Sequence, residues 1–282
     1  MPMVPTGDLV TRAATRRSCV TAFNVITLEH AVGIVMGAES VGRPVILQIS
    51  ENAVRYHGGR LAPLALAASS IARTAAVDVA LHLDHVTDVE LLYQAADAGF
   101  SSVMFDAGAL TYADNLAATA AAADWAHEAG LWIEAELGYV GGKPDSPASA
   151  HADGVRTDPA EAVDFVARTR VDALAVAVGS SHAMTERTAA LDHALIARLR
   201  EAVPVPLVLH GSSGVPGEEL HAAVLAGMIK INIGTALNVS LTRTVRDVLS
   251  RDPVLTDPRK YLGPARDAVA TTVRDFLTVL AA

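Results

Sequence analysis

The chain has 282 residues, 51% of them hydrophobic and 19% charged, which is enough to bury one large core and excludes a disordered chain. Its 31 Asp and Glu outnumber 22 Lys and Arg, and the net charge of −9 argues against nucleic acid or an anionic membrane as partner. Cys19 is the only cysteine, so an intrachain disulfide and a thiolate zinc cluster are excluded. No uninterrupted apolar run is long enough to span a membrane, and residues 1–20 lack the apolar segment of a secretory leader. A soluble cytoplasmic protein is expected.

Short apolar, β-rich runs alternate with alanine-rich helical stretches. In chain order the pattern gives a strand at 20–24, a helix at 28–41, a strand at 45–49 and a helix at 62–75. A strand at 79–83, a helix at 88–98, a strand at 102–106 and a helix at 113–129 follow. Then come a strand at 131–137, a helix at 159–168, strands at 173–178 and 207–210, a helix at 218–226 and a strand at 230–233. Gly42, Gly99, Gly130 and Gly227 stand where helix C-termini need them, and Pro159 and Pro216 where helices begin. Strands alternating with helices over this length predict a (β/α)8 TIM barrel. The rival is an open doubly wound sheet, weakened because no Gly-x-Gly-x-x-Gly run opens the first helix.

Neither a linker nor a shift in composition divides the chain, so one domain over 1–282 is expected. Residues 138–157, rich in Gly, Pro, Ala and Asp, read as a mobile loop. Residues 238–282, with helices at 238–249 and 265–280, form a C-terminal extension beyond what closes a barrel, long enough to reach a neighbouring subunit.

In such a barrel the active site lies at the C-terminal ends of the strands. Polar residues fall at every one of these ends: Asn24; Ser50 and Glu51; Asp84 and His85; Asp106; Glu134 and Glu136; Ser180, Ser181 and His182; His210; and Asn232. Singly, each histidine reads best as a surface or core residue. Together on one rim, His85, His182 and His210 can bind Zn2+ and leave a fourth position open. His82 shares the parity of Asp84 and reads as a polar core residue. Asp84 can shuttle a proton to a substrate hydroxyl or support a ligand histidine. Asp106 and Glu136 supply oxygen ligands for a second or displaced metal position, or form a buried hydrogen-bonded pair. The runs 211–214 (Gly-Ser-Ser-Gly) and 232–235 (Asn-Ile-Gly-Thr) follow strands 7 and 8, where barrels build phosphate sites from backbone amides, with Ser213 and Thr235 adding hydroxyls.

Ala22-Phe23-Asn24-Val25, His82-Leu83-Asp84-His85, Glu134-Ala135-Glu136-Leu137-Gly138, Gly179-Ser180-Ser181-His182 and Leu209-His210-Gly211-Ser212-Ser213-Gly214, in this order, resemble the class II, metal-dependent ketose-bisphosphate aldolases. The resemblance implies zinc on His85, His182 and His210, proton exchange between Asp84 and the C4 hydroxyl, and Asp106 and Glu136 near an alternative metal position. It implies substrate contacts from Asn24 and Ser50, and a phosphate cradle at Gly211, Ser213, Asn232, Gly234 and Thr235. Arg259 matches an arginine that a neighbouring subunit offers to the distal phosphate, which implies a homodimer or homotetramer. A lysine Schiff base is disfavoured, because Lys143 lies in the loop, Lys260 in the tail and Lys230 at the wrong end of the last strand.

The expected activity is zinc-dependent, reversible cleavage of a ketose (bis)phosphate, foremost fructose 1,6-bisphosphate, to dihydroxyacetone phosphate and glyceraldehyde 3-phosphate. Tagatose 1,6-bisphosphate, another ketose phosphate, a catalytically impaired phosphate-binding paralogue and a zinc hydrolase are the alternatives. Four positions depart from the family pattern. Pro144 replaces the glutamate of the Gly-Gly-x-Glu-Asp loop, with Asp145 or Asp153 as substitutes. Ile26 and Thr27 stand where a histidine is usual, Ala183 where glycine is usual ahead of a missing lysine, and Ala236 where an acidic residue is usual.

Overall fold

The computed structural model describes residues 3–138, 140 and 156–281. Its strands are β1 (Val20–Asn24), β2 (Val45–Ser50), β3 (Val79–Val86), β4 (Ser102–Phe105), β5 (Trp132–Leu137), β6 (Ala173–Val176), β7 (Leu207–Leu209) and β8 (Met228–Ile233). All pair in parallel in sequence order, and β8 closes on β1 through Val20 opposite Lys230 and Ala22 opposite Asn232. This is the expected TIM barrel. The helices are α1 (Thr6–Thr15), α2 (Leu28–Ser40), α3 (Glu51–Tyr56), α4 (Leu61–Thr74), α5 (Val89–Leu92), α6 (Tyr112–Glu128), α7 (Pro159–Thr169), α8 (His193–Ala202), α9 (Gly217–Ala226), α10 (Thr235–Arg251) and α11 (Arg259–Val279).

Strand boundaries agree with the sequence pattern to within a few residues, and the helices depart in instructive places. α1, α3 and α8 were not expected: α3 is only six residues long, and α1 and α8 each bury a narrow stripe of three or four side chains amid polar neighbours. The helix expected at 88–98 shortens to α5, after which the chain runs on in tighter turns, with Gln94 N–H donating to the Leu91 carbonyl and Ala95 N–H to Leu92. Most of the loop expected at 138–157, including Pro144, Asp145 and Asp153, lies outside the described residues.

Successive residues of a strand face opposite sides of the sheet, so each strand contributes one set to the helices and one to the barrel interior. The outward set, with Leu47, Leu81, Leu83, Ile133 and Ile231, packs under the helices in one large core. The inward set is layered. At the N-terminal end Val20, Ala22, Ile46 and Ala80 meet Leu9, Val10 and Ala13 of α1, which closes the bottom of the barrel. Above this lies a buried polar layer of Gln48, His82, Ser102, Glu134 and Lys230. The mouth follows.

The C-terminal extension is the pair α10 and α11. Gly33 and Gly37 of α2 let α11 approach closely; a Cβ there would lie 2.8 Å from the Arg266 carbonyl oxygen and 2.5 Å from that of Ala270. α10 buries only Leu237.

Candidate active site

The metal-competent cluster begins with an irregularity in β3. Two consecutive strand residues cannot normally face the same side, yet Asp84 and His85 both line the mouth. Pairing between β3 and β4 slips between Leu83 and Val86, and His85 adopts φ +48°, a bulge-like distortion that re-aims its ring. The ring joins His182 and His210, with centroid separations of 5.2 Å and 4.8 Å. One ligand atom from each of His85, Glu136, His182 and His210 lies within 4.8 Å of the others.

Carboxylates behind two of the rings set which nitrogen faces the cluster. The His210 Nε2 donates to Glu134 Oε1 at 2.8 Å, which leaves Nδ1 facing inward, 3.1 Å from His85 Nε2 and 3.5 Å from Glu136 Oε2. The His85 Nδ1 donates to Asp106 Oδ2 at 2.9 Å, leaving Nε2 for the cluster. A carboxylate that fixes the tautomer and raises the basicity of a ligand imidazole is the usual partner of a metal-binding histidine. Three imidazoles and a carboxylate, without a thiolate, fit a divalent first-row ion. Of the two carboxylates expected as oxygen ligands, the structure brings Glu136 into the cluster and sets Asp106 behind His85.

Two residues below the mouth, Lys230 donates from Nζ to Glu134 Oε2 at 2.7 Å, both side chains fully buried. Lys230 was expected at the wrong end of its strand. It points into the barrel interior, because β8 begins at Met228, but its ammonium is committed to Glu134 and does not line the cavity. His82 occupies the same layer, as its parity predicts, with Nδ1 2.7 Å from Ser102 Oγ. Burial, and then the Lys230 charge, hold its pKa well below the usual histidine range, so the ring is neutral.

Beside the cluster, Asp84 Oδ2 accepts from Asn24 Nδ2 at 3.3 Å, and Asn24 Oδ1 in turn accepts from Gln48 Nε2 at 2.9 Å. Ser50 caps α3, its hydroxyl accepting from Ala53 N–H, and also faces the cavity. Across the mouth, Gly211 turns the chain at φ +67°, where a Cβ would lie 2.6 Å from the Ser181 carbonyl carbon. Ala183, in the position where glycine is usual, adopts φ +59°. Ser213 Oγ accepts from Ala236 N–H in the first turn of α10, so the positive end of that helix opens beside Gly234 and Thr235.

The cavity has a volume of about 410 Å3. Asn24, Ser50, Asp84, His85, Asp106, His182, His210, Gly211, Ser213, Asn232, Gly234 and Thr235 all line it. Arg259 stands apart, its side chain 90% exposed and paired with Asp257 at 2.8 Å. Sequence reasoning placed Glu134 at a strand end without a role, and missed Gln48 and Arg55. Arg55, paired with Glu51, is the one Lys or Arg among the described lining residues. Parity was the available signal for Glu134 and Gln48; Arg55 had none.

A parallel barrel that carries a metal-competent histidine cluster, a carboxylate beside it and a helix N-terminus across one cavity is built as a metal-dependent barrel enzyme. The family model for class II fructose-bisphosphate aldolase matches residues 4–282. The fructose-bisphosphate aldolase of Geobacillus stearothermophilus is 37% identical over 274 residues, covering 97% of this chain and 95% of that protein. That of Staphylococcus aureus is 37% identical over 276 residues, covering 97% and 96%. Among solved structures, the YdjI aldolase from Escherichia coli K12 has a TM-score of 0.81 at 28% identity, covering 99% of this chain and 97% of that one. The chain belongs to the class II fructose-bisphosphate aldolase family, an aldehyde-lyase family that is metal-dependent.

Proposed function

We propose that this aldolase binds Zn2+ through His85, His182 and His210 and reversibly cleaves a ketose phosphate to dihydroxyacetone phosphate and an aldehyde. Fructose 1,6-bisphosphate, giving glyceraldehyde 3-phosphate, is the leading substrate. The observation that carries the reading is the placement of Asp84 and the α10 N-terminus around one histidine cluster in one cavity.

Cleavage of C3–C4 leaves an electron pair on the dihydroxyacetone half. The metal, when bound, supplies a Lewis acid against that developing charge. Asp84 takes the proton from the C4 hydroxyl as the C4 carbonyl forms and the C3–C4 bond breaks, and in synthesis returns it. Asn24, steadied by Gln48, keeps the carboxylate aimed at that oxygen. Glu134 and Asp106 hold the His210 and His85 rings against rotation. Backbone N–H groups around Gly211, Gly234 and Thr235, with the Ser213 hydroxyl, receive the phosphate of the dihydroxyacetone half. Arg259, exposed on the extension, serves the distal phosphate of a neighbouring subunit's substrate in a homodimer or homotetramer. The chemistry suits the cytoplasm, and Glu136 offers the metal an additional or displaced oxygen position.

The test is triose phosphate release from fructose 1,6-bisphosphate by zinc-loaded protein, with and without a chelator. Rapid, chelator-sensitive release is expected. Absence of release with zinc bound would sink the assignment of this substrate and direct a panel of tagatose 1,6-bisphosphate and other ketose phosphates. Tight phosphate-ester binding without cleavage of any of them would identify an impaired paralogue.

A further inference from the structure

The first turn of α10 is short of donors for the phosphate assigned to it. Ala236 N–H is spent on Ser213 Oγ at 3.0 Å, and Leu237 N–H on the Gly234 carbonyl at 2.9 Å. Arg55, the one Lys or Arg among the described lining residues, belongs to α3 and pairs with Glu51. A phosphate monoester brings nearly two negative charges and three strong acceptor oxygens. One residue that lines the same cavity has no part in the chemistry above. Asn238 stands one helical turn beyond Gly234, its backbone nitrogen 3.4 Å from the Gly234 carbonyl oxygen.

Which end of the Asn238 amide is left for the cavity is decided by a buried histidine of α2. His30 Nε2 lies 3.1 Å from Asn238 Oδ1. On the other side of the ring, Nδ1 accepts from the backbone N–H of Thr27, the N-cap of α2, at 3.4 Å, and lies 3.0 Å from Thr27 Oγ1. A backbone N–H can only donate, so Nδ1 carries no proton, and the Thr27 hydroxyl rotates to donate to it as well. Burial lowers the His30 pKa from its usual value, so the ring is neutral and holds a single proton. That proton sits on Nε2 and goes to Asn238 Oδ1. The opposite amide orientation would set the Asn238 NH2 against the Nε2–H, donor against donor. The oxygen is therefore turned to His30, and Nδ2, which makes no hydrogen bond among the described residues, keeps both of its N–H groups for the cavity.

We infer that Asn238 binds the phosphate of the dihydroxyacetone half through Nδ2, and that His30 is the positioning residue that keeps this nitrogen turned toward it. The inference rests on the aldolase reading, which puts that phosphate beside Gly234 and Thr235. The amide supplies what a helix end with two spent N–H groups lacks, and it does so without a charge of its own to desolvate. Ser213, whose oxygen is taken by Ala236 N–H, still donates its hydroxyl proton to the same phosphate.

Two variants separate binding from bracing. Asn238→Leu keeps the shape of the side chain and removes the amide; His30→Leu leaves the amide and removes what orients it. The zinc-loaded chain is titrated with dihydroxyacetone phosphate by calorimetry, and KM and kcat are read with fructose 1,6-bisphosphate. Asn238→Leu is expected to raise Kd about 10–100-fold, the worth of a hydrogen bond to a charged group, and to raise KM while kcat holds. His30→Leu should raise Kd about 3–10-fold, since the amide must then find its orientation on binding. The double variant should match Asn238→Leu alone, because His30 has nothing left to orient. If the pair only braces α2 against α10, both variants lower the unfolding midpoint and leave Kd where it was. An unchanged Kd in Asn238→Leu overturns the binding role. An unchanged Kd in His30→Leu, or losses that multiply in the double variant, overturns the positioning role.

A second measurement needs no variant. Nitrogen NMR of the zinc-loaded full chain, labelled with 15N at histidine, reports which nitrogen of the neutral His30 ring is protonated. A proton on Nε2 is expected; a proton on Nδ1 would turn the amide around and overturn the inference. A parent protein that binds dihydroxyacetone phosphate yet cleaves no ketose phosphate, with Kd still raised in Asn238→Leu, would refute the aldolase reading and leave the phosphate contact standing.

Discussion

Lys230→Met keeps the length and most of the apolar stem of the side chain but removes an ammonium 2.7 Å from Glu134 Oε2, where both side chains are fully buried. Glu134 is then a buried carboxylate that keeps the His210 Nε2–H, at 2.8 Å, as a partner. Breaking a buried ion pair from one side costs about 3–5 kcal/mol, because the desolvated charge left behind has no counter-ion. Adding Glu134→Gln removes that charge and keeps an oxygen to accept from His210. The double variant is therefore expected to recover most of the loss, with a coupling of about 2–3 kcal/mol between the two positions. Denaturant unfolding of the metal-free parent, the two single variants and the double variant gives the cycle. Zinc affinity by chelator competition gives a second axis: a neutral amide orients His210 less firmly than a carboxylate, so affinity in the double variant should fall about 10–100-fold even as stability returns. A Lys230→Met protein within about 1 kcal/mol of the parent, or losses that simply add, would refute the isolation of Glu134 inside the barrel.

Three further outcomes are expected. Asp106→Ala should lower zinc affinity about 10–100-fold with the fold intact by circular dichroism, since His85 loses the carboxylate on its Nδ1 at 2.9 Å; unchanged affinity would remove Asp106 from that role. Gly211→Ala places a Cβ against the Ser181 backbone at φ +67°, and should cost about 1–3 kcal/mol in thermal unfolding; an unaltered midpoint would show that the turn accommodates it. Burial pushes the Cys19 thiol from 9.0 up to about 12, against a smaller opposing pull from Arg43. Because the folded value is the raised one, this contribution to stability is complete below about pH 9 and is lost as pH climbs toward 12. The native thiol should accordingly resist a disulfide reagent at pH 8 until denaturant is added, and prompt labelling of folded protein would contradict its burial.

The barrel was legible because each buried strand is a short β-rich run bounded by glycine, proline or a polar terminus, and because alanine-rich helices fill the intervals. The elements that escaped are those whose existence depends on what they cover. α1 is only ten residues long, precedes the first strand, and forms where its apolar stripe of Leu9, Val10 and Ala13 can close the floor of the barrel. The histidines and Asp84 were legible as residues at strand ends. Their division of labour was not, since it follows from depth and from one bulge. Glu134 and Glu136 share a parity, but the first sits behind His210 and the second beside it. Asp106 backs His85 because φ at His85 is positive, a conformation that a histidine gives no sign of in sequence. Lys230 was misplaced by reading its strand as starting two residues late.

That lysine has a consequence for the choice of chemistry. A barrel can activate a ketone with a metal or with an amine, and this one carries an amine in its interior. Along a strand, two residues span about 6.6 Å, so Lys230 and Asn232 are one layer apart on the same inward face. At the upper layer an amine would open into the substrate cavity; at the lower it is sealed beneath the mouth and held by Glu134, which in turn steers His210 toward the cluster. The side chain that could have formed a Schiff base with the ketone is thus enlisted, one storey down, as the counter-ion of the carboxylate that keeps His210 turned toward the cluster.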